Sequence, residues 1–146
     1  MKKIANYILF IALMGFLSTA IFAQSNVSKD ALKGKIDEIF KLANKQKYKE
    51  ITGYIIYTGD NAERKYKASL NANDPGELKK AERLAKKMHA YIDISDEYEL
   101  KNFTEETKDD IKMINATVAF KSGAQLLDID FVFVDNNGNI MLVDID

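Results

Sequence analysis

The sequence predicts an α+β domain, helices first and a meander of antiparallel strands after them. Two observations carry this. Apolar residues recur at helical spacing as far as Ile92 and alternate with polar ones from Tyr98 onward. The alternating part is then divided by two hairpin-type turns, Ser122-Gly123-Ala124-Gln125 and Asp135-Asn136-Asn137-Gly138-Asn139. A run of helices followed by a run of strands buries its apolar surfaces by laying the helices on one face of the sheet.

Leu32, Ile36, Ile39, Phe40 and Ala43 share one face of a helix over residues 29–46, with Ser28 as N-cap. A second helix is expected to place Tyr48, Ile51, Tyr54 and Ile55 on one face and to stop at Gly59. The run Tyr54-Ile55-Ile56-Tyr57 also fits a strand. Residues 60–73 read as a polar connection with one turn of structure around Arg64 to Leu70. Arg64, Lys65 and Lys67 read there as a solvated basic loop. The third helix has the clearest start: Asp74 as N-cap, Pro75 at the first helical position, and Glu77 placed to complete a reciprocal capping box. Leu78, Ala81, Leu84, Ala85, Met88 and Ile92 form its apolar stripe.

Tyr98 and Leu100 begin a short strand, and residues 104–109 read as a polar turn. Residues 110–121, 126–134 and 140–146 follow as three strands. Gly123 at the first central position suits a type II′ turn, which sets Phe120, Val118, Ala116 and Ile114 opposite Leu127, Ile129, Phe131 and Phe133. For the last hairpin, a type I turn with Gly138 left-handed and a bulge sets Val134 opposite Ile140 and Phe131 opposite Val143. A two-residue Asn137-Gly138 turn would slip that register by one and oppose Phe131 with Asp144, so burial favours the bulged form.

Lys2 and Lys3 precede an apolar run from Tyr7 to Phe16, and Ala23 offers a small residue at a cleavage point. This is the grammar of a secretory signal peptide over residues 1–23, too short and interrupted for a membrane anchor. Residues 24–29 read as a flexible lead-in and 30–146 as a single domain. The expected location is periplasmic or secreted. With no cysteine in the chain there is neither a disulfide framework nor a lipidation site, so a lipoprotein is not expected.

The formal net charge is −1, and loss of Lys2 and Lys3 makes the remainder more acidic. That disfavours nucleic acid or an anionic membrane as partner. A single histidine excludes a site built on two histidines, and a zinc site of several His and Cys. No cofactor motif is present.

The order of elements over residues 30–146 resembles the cystatin-like cone of the nuclear transport factor 2-like superfamily. The resemblance rests on residues 47–57, on the Asp74-Pro75 helix start, and on the closing Leu142-Val143-Asp144-Ile145-Asp146. It implies a curved sheet wrapped around helices, with a pocket between them. Enzymes of that superfamily resembling ketosteroid isomerase need an acid–base carboxylate and an oxyanion partner, and no motif carries those residues over. Tyr54, Tyr57, Tyr66, His89, Tyr91 and Phe103 are the candidate pocket wall, suited to a small apolar ligand; the plainer reading is core and boundary residues.

The sheet's second face is expected to show Met113, Val132, Val134, Ile140 and Leu142 at one end, a candidate homodimer surface. Toward its other end the same registers oppose Asp130 with Asp144 and Asp128 with Asp146. Asp128, Asp130 and Asp144 are thus a weak candidate for a hard cation, against the plainer reading of a solvated acidic rim. These features favour an exported, non-enzymatic binding or interaction domain that self-associates and meets an unknown protein or small-molecule ligand. The alternative is an isomerase- or hydrolase-like enzyme working in the cone pocket, with His89 or an aspartate as acid–base group.

Overall fold

A computed structural model describes residues 27–146; the signal-peptide reading, on residues 1–23, lies outside the described residues. The chain is α+β, with its helices followed by a four-stranded antiparallel sheet in the order β1-β2-β3-β4. No helix among the described residues is long and apolar enough to cross a membrane.

Helix α1 spans Lys29–Asn44, and the Ser28 hydroxyl caps it by accepting from Ala31 N at 3.1 Å. Val27 N–H donates to Glu105 at 3.0 Å, and residues 24–26 of the expected lead-in lie outside the described residues. Helix α2 is one turn, Tyr48–Ile51, continued by a 3-10 turn over Thr52–Tyr54. The expected helix does not reach Gly59. Ile55 and Ile56 are instead extended, as the β-branched pair prefers. Ile56 N donates to Leu142 O at 2.8 Å, and Tyr57 N to Ala68 O at 2.8 Å. The first of these bonds covers part of the sheet edge that a terminal strand would leave open, and the second holds the connection together.

Helix α3 spans Pro75–Asp93 and begins as expected, Asp74 accepting from Glu77 N at 2.9 Å. The reciprocal half of the capping box is not made. Glu77 turns to Arg64 instead, because the guanidinium offers a two-point charge-assisted pair that a single backbone N–H does not.

Strand β1 spans Glu97–Lys108, β2 Ile111–Ser122, β3 Gln125–Asn136 and β4 Asn139–Ile145. Residues 104–108, expected within a turn, are the second half of β1. This edge strand carries polar residues on both faces there, so alternation gives no signal. The β2–β3 register is the expected one, with Ala116 opposite Phe131 and Ile114 opposite Phe133. Gly123 has a φ of 55° at the turn.

The β3–β4 register departs from expectation. Asn137 and Gly138 both take positive φ, 54° and 87°, in a two-residue turn whose twist matches the flanking strands. Asp135 steadies it by accepting from Gly138 N at 2.7 Å. Phe133 therefore faces Leu142, and the bulge falls later, between Val132 and Phe133 on one strand and Leu142 and Asp144 on the other. This leaves Val143 as the extra residue. It returns Ile145, and not Asp144, to the position opposite Phe131. Burial of apolar residues was the right criterion, and a bulge within the strand meets it as well as one in the turn.

The core lies between the helices and the sheet's first face. Leu32, Ile36, Met88, Ile114, Val118, Phe131, Phe133 and Leu142 are all at most 2 % exposed. Phe40 is its hub, with ring centroids 4.9 Å from Tyr98, 5.8 Å from Phe120 and 5.4 Å from Phe131.

Candidate functional site

The six residues expected to wall a pocket do not share one cluster of side chains, although Tyr66 N donates to Tyr57 O at 2.9 Å. Tyr54 packs beneath Lys35 of α1, whose ammonium lies 5.0 Å from the ring centroid. Tyr57 lies under Arg64 at 4.2 Å, and Tyr91 lies 5.5 Å from Phe120. Tyr66 sits on the opposite side of the sheet, against Ile56, Val134 and Met141. Phe103 flanks the main core across from Ala116. His89 meets Asn44 with its Nδ1 3.1 Å from Oδ1, joining the ends of α1 and α3. Among the described residues no ring contact joins any two of the six. The plainer reading, of core and boundary residues, is the one this packing supports, with the space between α1 and the sheet taken by Phe40, Phe120 and Phe131.

The candidate dimer face also divides. Leu142 and Ile140 belong to the main core on the first face, a direct result of the shifted β3–β4 register. Val134 is on the second face but only 2 % exposed. The connection after Ile56 folds over that end of the sheet and packs Tyr66 against Val134 and Met141, with Met113 and Val143 around them. Asn136 fastens the cover, its Nδ2 donating to Lys67 O at 3.1 Å. Only Val132 and Met113 remain half-exposed. The chain's own connection covers what the sequence left open, because patterning within strands cannot show where a loop will lie.

The aspartates are separated too. Lys101 pairs with Asp128 at 2.6 Å, and the Thr117 hydroxyl donates to Asp130 at 2.7 Å. Asp144 lies opposite Val132, not Asp130, and accepts from Ile145 N at 3.0 Å. Asp146 meets Asp130, not Asp128, through the backbone, at 2.9 Å. Among the described residues no three His, Cys, Asp or Glu side chains are grouped to hold a metal ion.

The basic cluster read as a solvated loop hides a fixed knot. Arg64 donates to both oxygens of Glu77, at 2.7 and 2.8 Å, and to Ser69 O at 3.2 Å. Glu77 also accepts from Asn71 N at 2.6 Å. The Arg64 guanidinium holds the Glu77 carboxyl below its ordinary value; partial burial opposes this and the Asn71 N–H adds to it. A Cβ on Gly59 would collide with the Tyr57 ring, so glycine is required there for close approach and not as a helix stop. Lys80, beside this knot, is also perturbed. Burial lowers its pKa, Asp144 opposes the shift, and its Nζ donates to Thr58 at 2.8 Å. The knot and Lys80 both fasten the connection to α3 and carry no nucleophile–base pair.

One exposed apolar site stands out. Ile94, Leu126 and Leu127 are 62 %, 56 % and 41 % exposed, the large hydrophobic residues most open to solvent among the described residues. They line one groove, with Phe120 at its base and Ser95, Ser122 and Gln125 at its margins. The end of α3 supplies Ile94, and the start of β3 supplies the leucines. Asp96 sets the two parts against each other: its N–H donates to Lys121 O at 2.8 Å, and its carboxylate accepts from Gly123 N at 2.9 Å. Leu126 and Leu127 were legible as strand residues. Their exposure was not, since it depends on α3 ending short of the hairpin tip.

Comparison with protein-family models, with curated proteins and with solved structures finds no match to this chain in any of the three.

Proposed function

We propose that this chain is an exported interaction domain that docks a partner through the groove at the hairpin end, and that it acts without catalysis. The observation that supports this is the grouping of Ile94, Leu126 and Leu127 around one groove, while the other large apolar side chains among the described residues are partly or wholly covered. Exposed apolar surface gathered at one place is costly to keep unless it is used. Export is read from Lys2, Lys3 and the apolar run to Phe16. The cystatin-like cone of the nuclear transport factor 2-like superfamily is the architecture we propose, supported by two N-terminal helices, a third helix and then consecutive antiparallel strands.

The expected homodimer is carried into this proposal with its surface moved from the sheet face to the groove, and the solution mass tests it. Dimerisation that Leu126→Ser with Leu127→Ser abolishes, in a folded protein, places self-association at the groove. A monomer at all concentrations leaves a different molecule as the partner. Binding of partners that is unaffected by the two serines removes the groove from the function.

A further inference from the structure

A second groove, of about 550 Å³, runs along α3 and is lined by Lys79, Lys80, Glu82, Arg83 and Lys86. Spacings of three and four residues put its basic side chains on one stripe of the helix. Glu82 answers Lys86, at 2.6 Å. Neither Lys79 nor Arg83 has an ion pair among the described residues. Lys80 is held differently from its neighbours. It is half-buried, and its Nζ donates to the Thr58 hydroxyl at 2.8 Å, a neutral partner contributed by the connection. No carboxylate lies within ion-pair distance of it among the described residues. Burial favours its neutral amine, Asp144 on β4 opposes this, and Arg83 adds to it.

We propose that Lys80 is a covalent capture site for a small carbonyl compound bearing a carboxylate, of the 2-oxo acid class, with Arg83 seating the carboxylate. Two features select that class. The unanswered cations favour an anion, and a guanidinium meets a carboxylate through two parallel hydrogen bonds. Lys80, one turn before Arg83 on the same stripe, then meets the carbonyl carbon next to that carboxylate. An amine desolvated beside another cation is a setting in which lysine becomes a nucleophile. Its lone pair adds to the carbonyl carbon, both amine hydrogens leave with the carbonyl oxygen as water, and a carbon–nitrogen double bond remains. Nothing is oxidised or reduced, and the neutral amine needs no partner base. The capture is stoichiometric, so it requires no turnover and does not depend on the docking groove. Lys86 is the comparison within the same groove, because Glu82 raises its pKa and holds it as the ammonium.

The test incubates the full chain with pyruvate, or with acetone as its uncharged counterpart, in the presence of cyanoborohydride. Peptide mass spectrometry then maps the reduced adducts. Pyruvate should label Lys80 at least about tenfold faster than Lys79 or Lys86. Lys80→Arg should abolish that label, with the melting temperature showing a folded protein, and the wild-type map decides the site whatever that variant's stability. The preference for pyruvate over acetone at Lys80, taken relative to the same preference at Lys79, removes the difference in reactivity between the two reagents. Arg83→Gln should lower this relative preference by about fivefold or more, because the carboxylate loses its seat while both reagents meet the same amine. Label spread over the lysines in proportion to their exposure overturns the site. A preference at Lys80 no greater than at Lys79, or one unchanged by Arg83→Gln, overturns the anionic class and the proposal with it.

Discussion

Arg64 and Glu77 form a two-point ion pair, with nitrogen–oxygen distances of 2.7 and 2.8 Å, that ties the polar connection to the first turn of α3. The pair sits on the ring of Tyr57 and holds Asn71 N through the same carboxylate. One contact therefore fixes the helix start, the connection and the cover over the sheet's second face.

Its first consequence is a pH dependence. The folded-state pKa of Glu77 lies below its ordinary 4.5, chiefly because of Arg64. Between the two values the unfolded chain binds more protons, so the stabilisation is present above the ordinary value and lost as pH falls through the folded one. Urea melts over about pH 3 to 6 should show stability falling with acid, and Glu77→Gln should flatten part of that fall. An identical acid limb in the variant would show that the pair contributes nothing measurable.

Gly59→Ala should destabilise the protein by about 1–3 kcal/mol, because the added methyl displaces Tyr57 from its packed position. Gly53→Ala is the control, since nothing lies within 4 Å of a Cβ there. It should be neutral or mildly stabilising, by up to about 1 kcal/mol. The two denaturation midpoints separate close approach from backbone preference.

The β3–β4 register predicts opposite outcomes for two lysine substitutions. Leu142 is fully buried in the main core, so Leu142→Lys should cost at least about 3 kcal/mol and give an unfolded or collapsed chain. Val132 is half-exposed and faces Asp144, so Val132→Lys should change stability by less than about 1 kcal/mol. Circular dichroism with urea titration distinguishes them. A well-folded Leu142→Lys protein would contradict the register.

Tyr98 makes an alkaline prediction. Burial first, then Asp37, pushes its phenol up to about 12, and its hydroxyl donates to Asp37 at 3.1 Å. A raised acid pKa means that the stabilisation is complete below the ordinary 10.0 and is lost as pH rises through the folded value. Tyr98→Phe should remove one late-titrating phenolate from the ultraviolet difference spectrum. At neutral pH it should cost about 0.5–1.5 kcal/mol. A variant whose spectrum keeps the late phase would assign that phase to another tyrosine.

Local signals in the sequence determined the elements whose cause is local. Ser28 and Asp74 mark helix starts because a side-chain oxygen satisfies a backbone N–H three residues on, a relation fixed by spacing alone. The β2–β3 register was legible because Gly123 defines the turn and the alternation on both strands then agrees. The tertiary structure decided the rest. Both turns at Asn137-Gly138 were compatible with burial, and the choice between them depended on a bulge at Val143 that only the finished sheet accommodates. Whether Val134 and Met141 faced solvent depended on where a polar connection folded, and Arg64 to Glu77 set that position across 13 residues. The exposed groove arose likewise, from α3 stopping at Asp93 while the hairpin continued past it. Hydrophobic spacing shows which residues seek cover. Which segment arrives to cover them is set by contacts between parts of the chain that no local period connects.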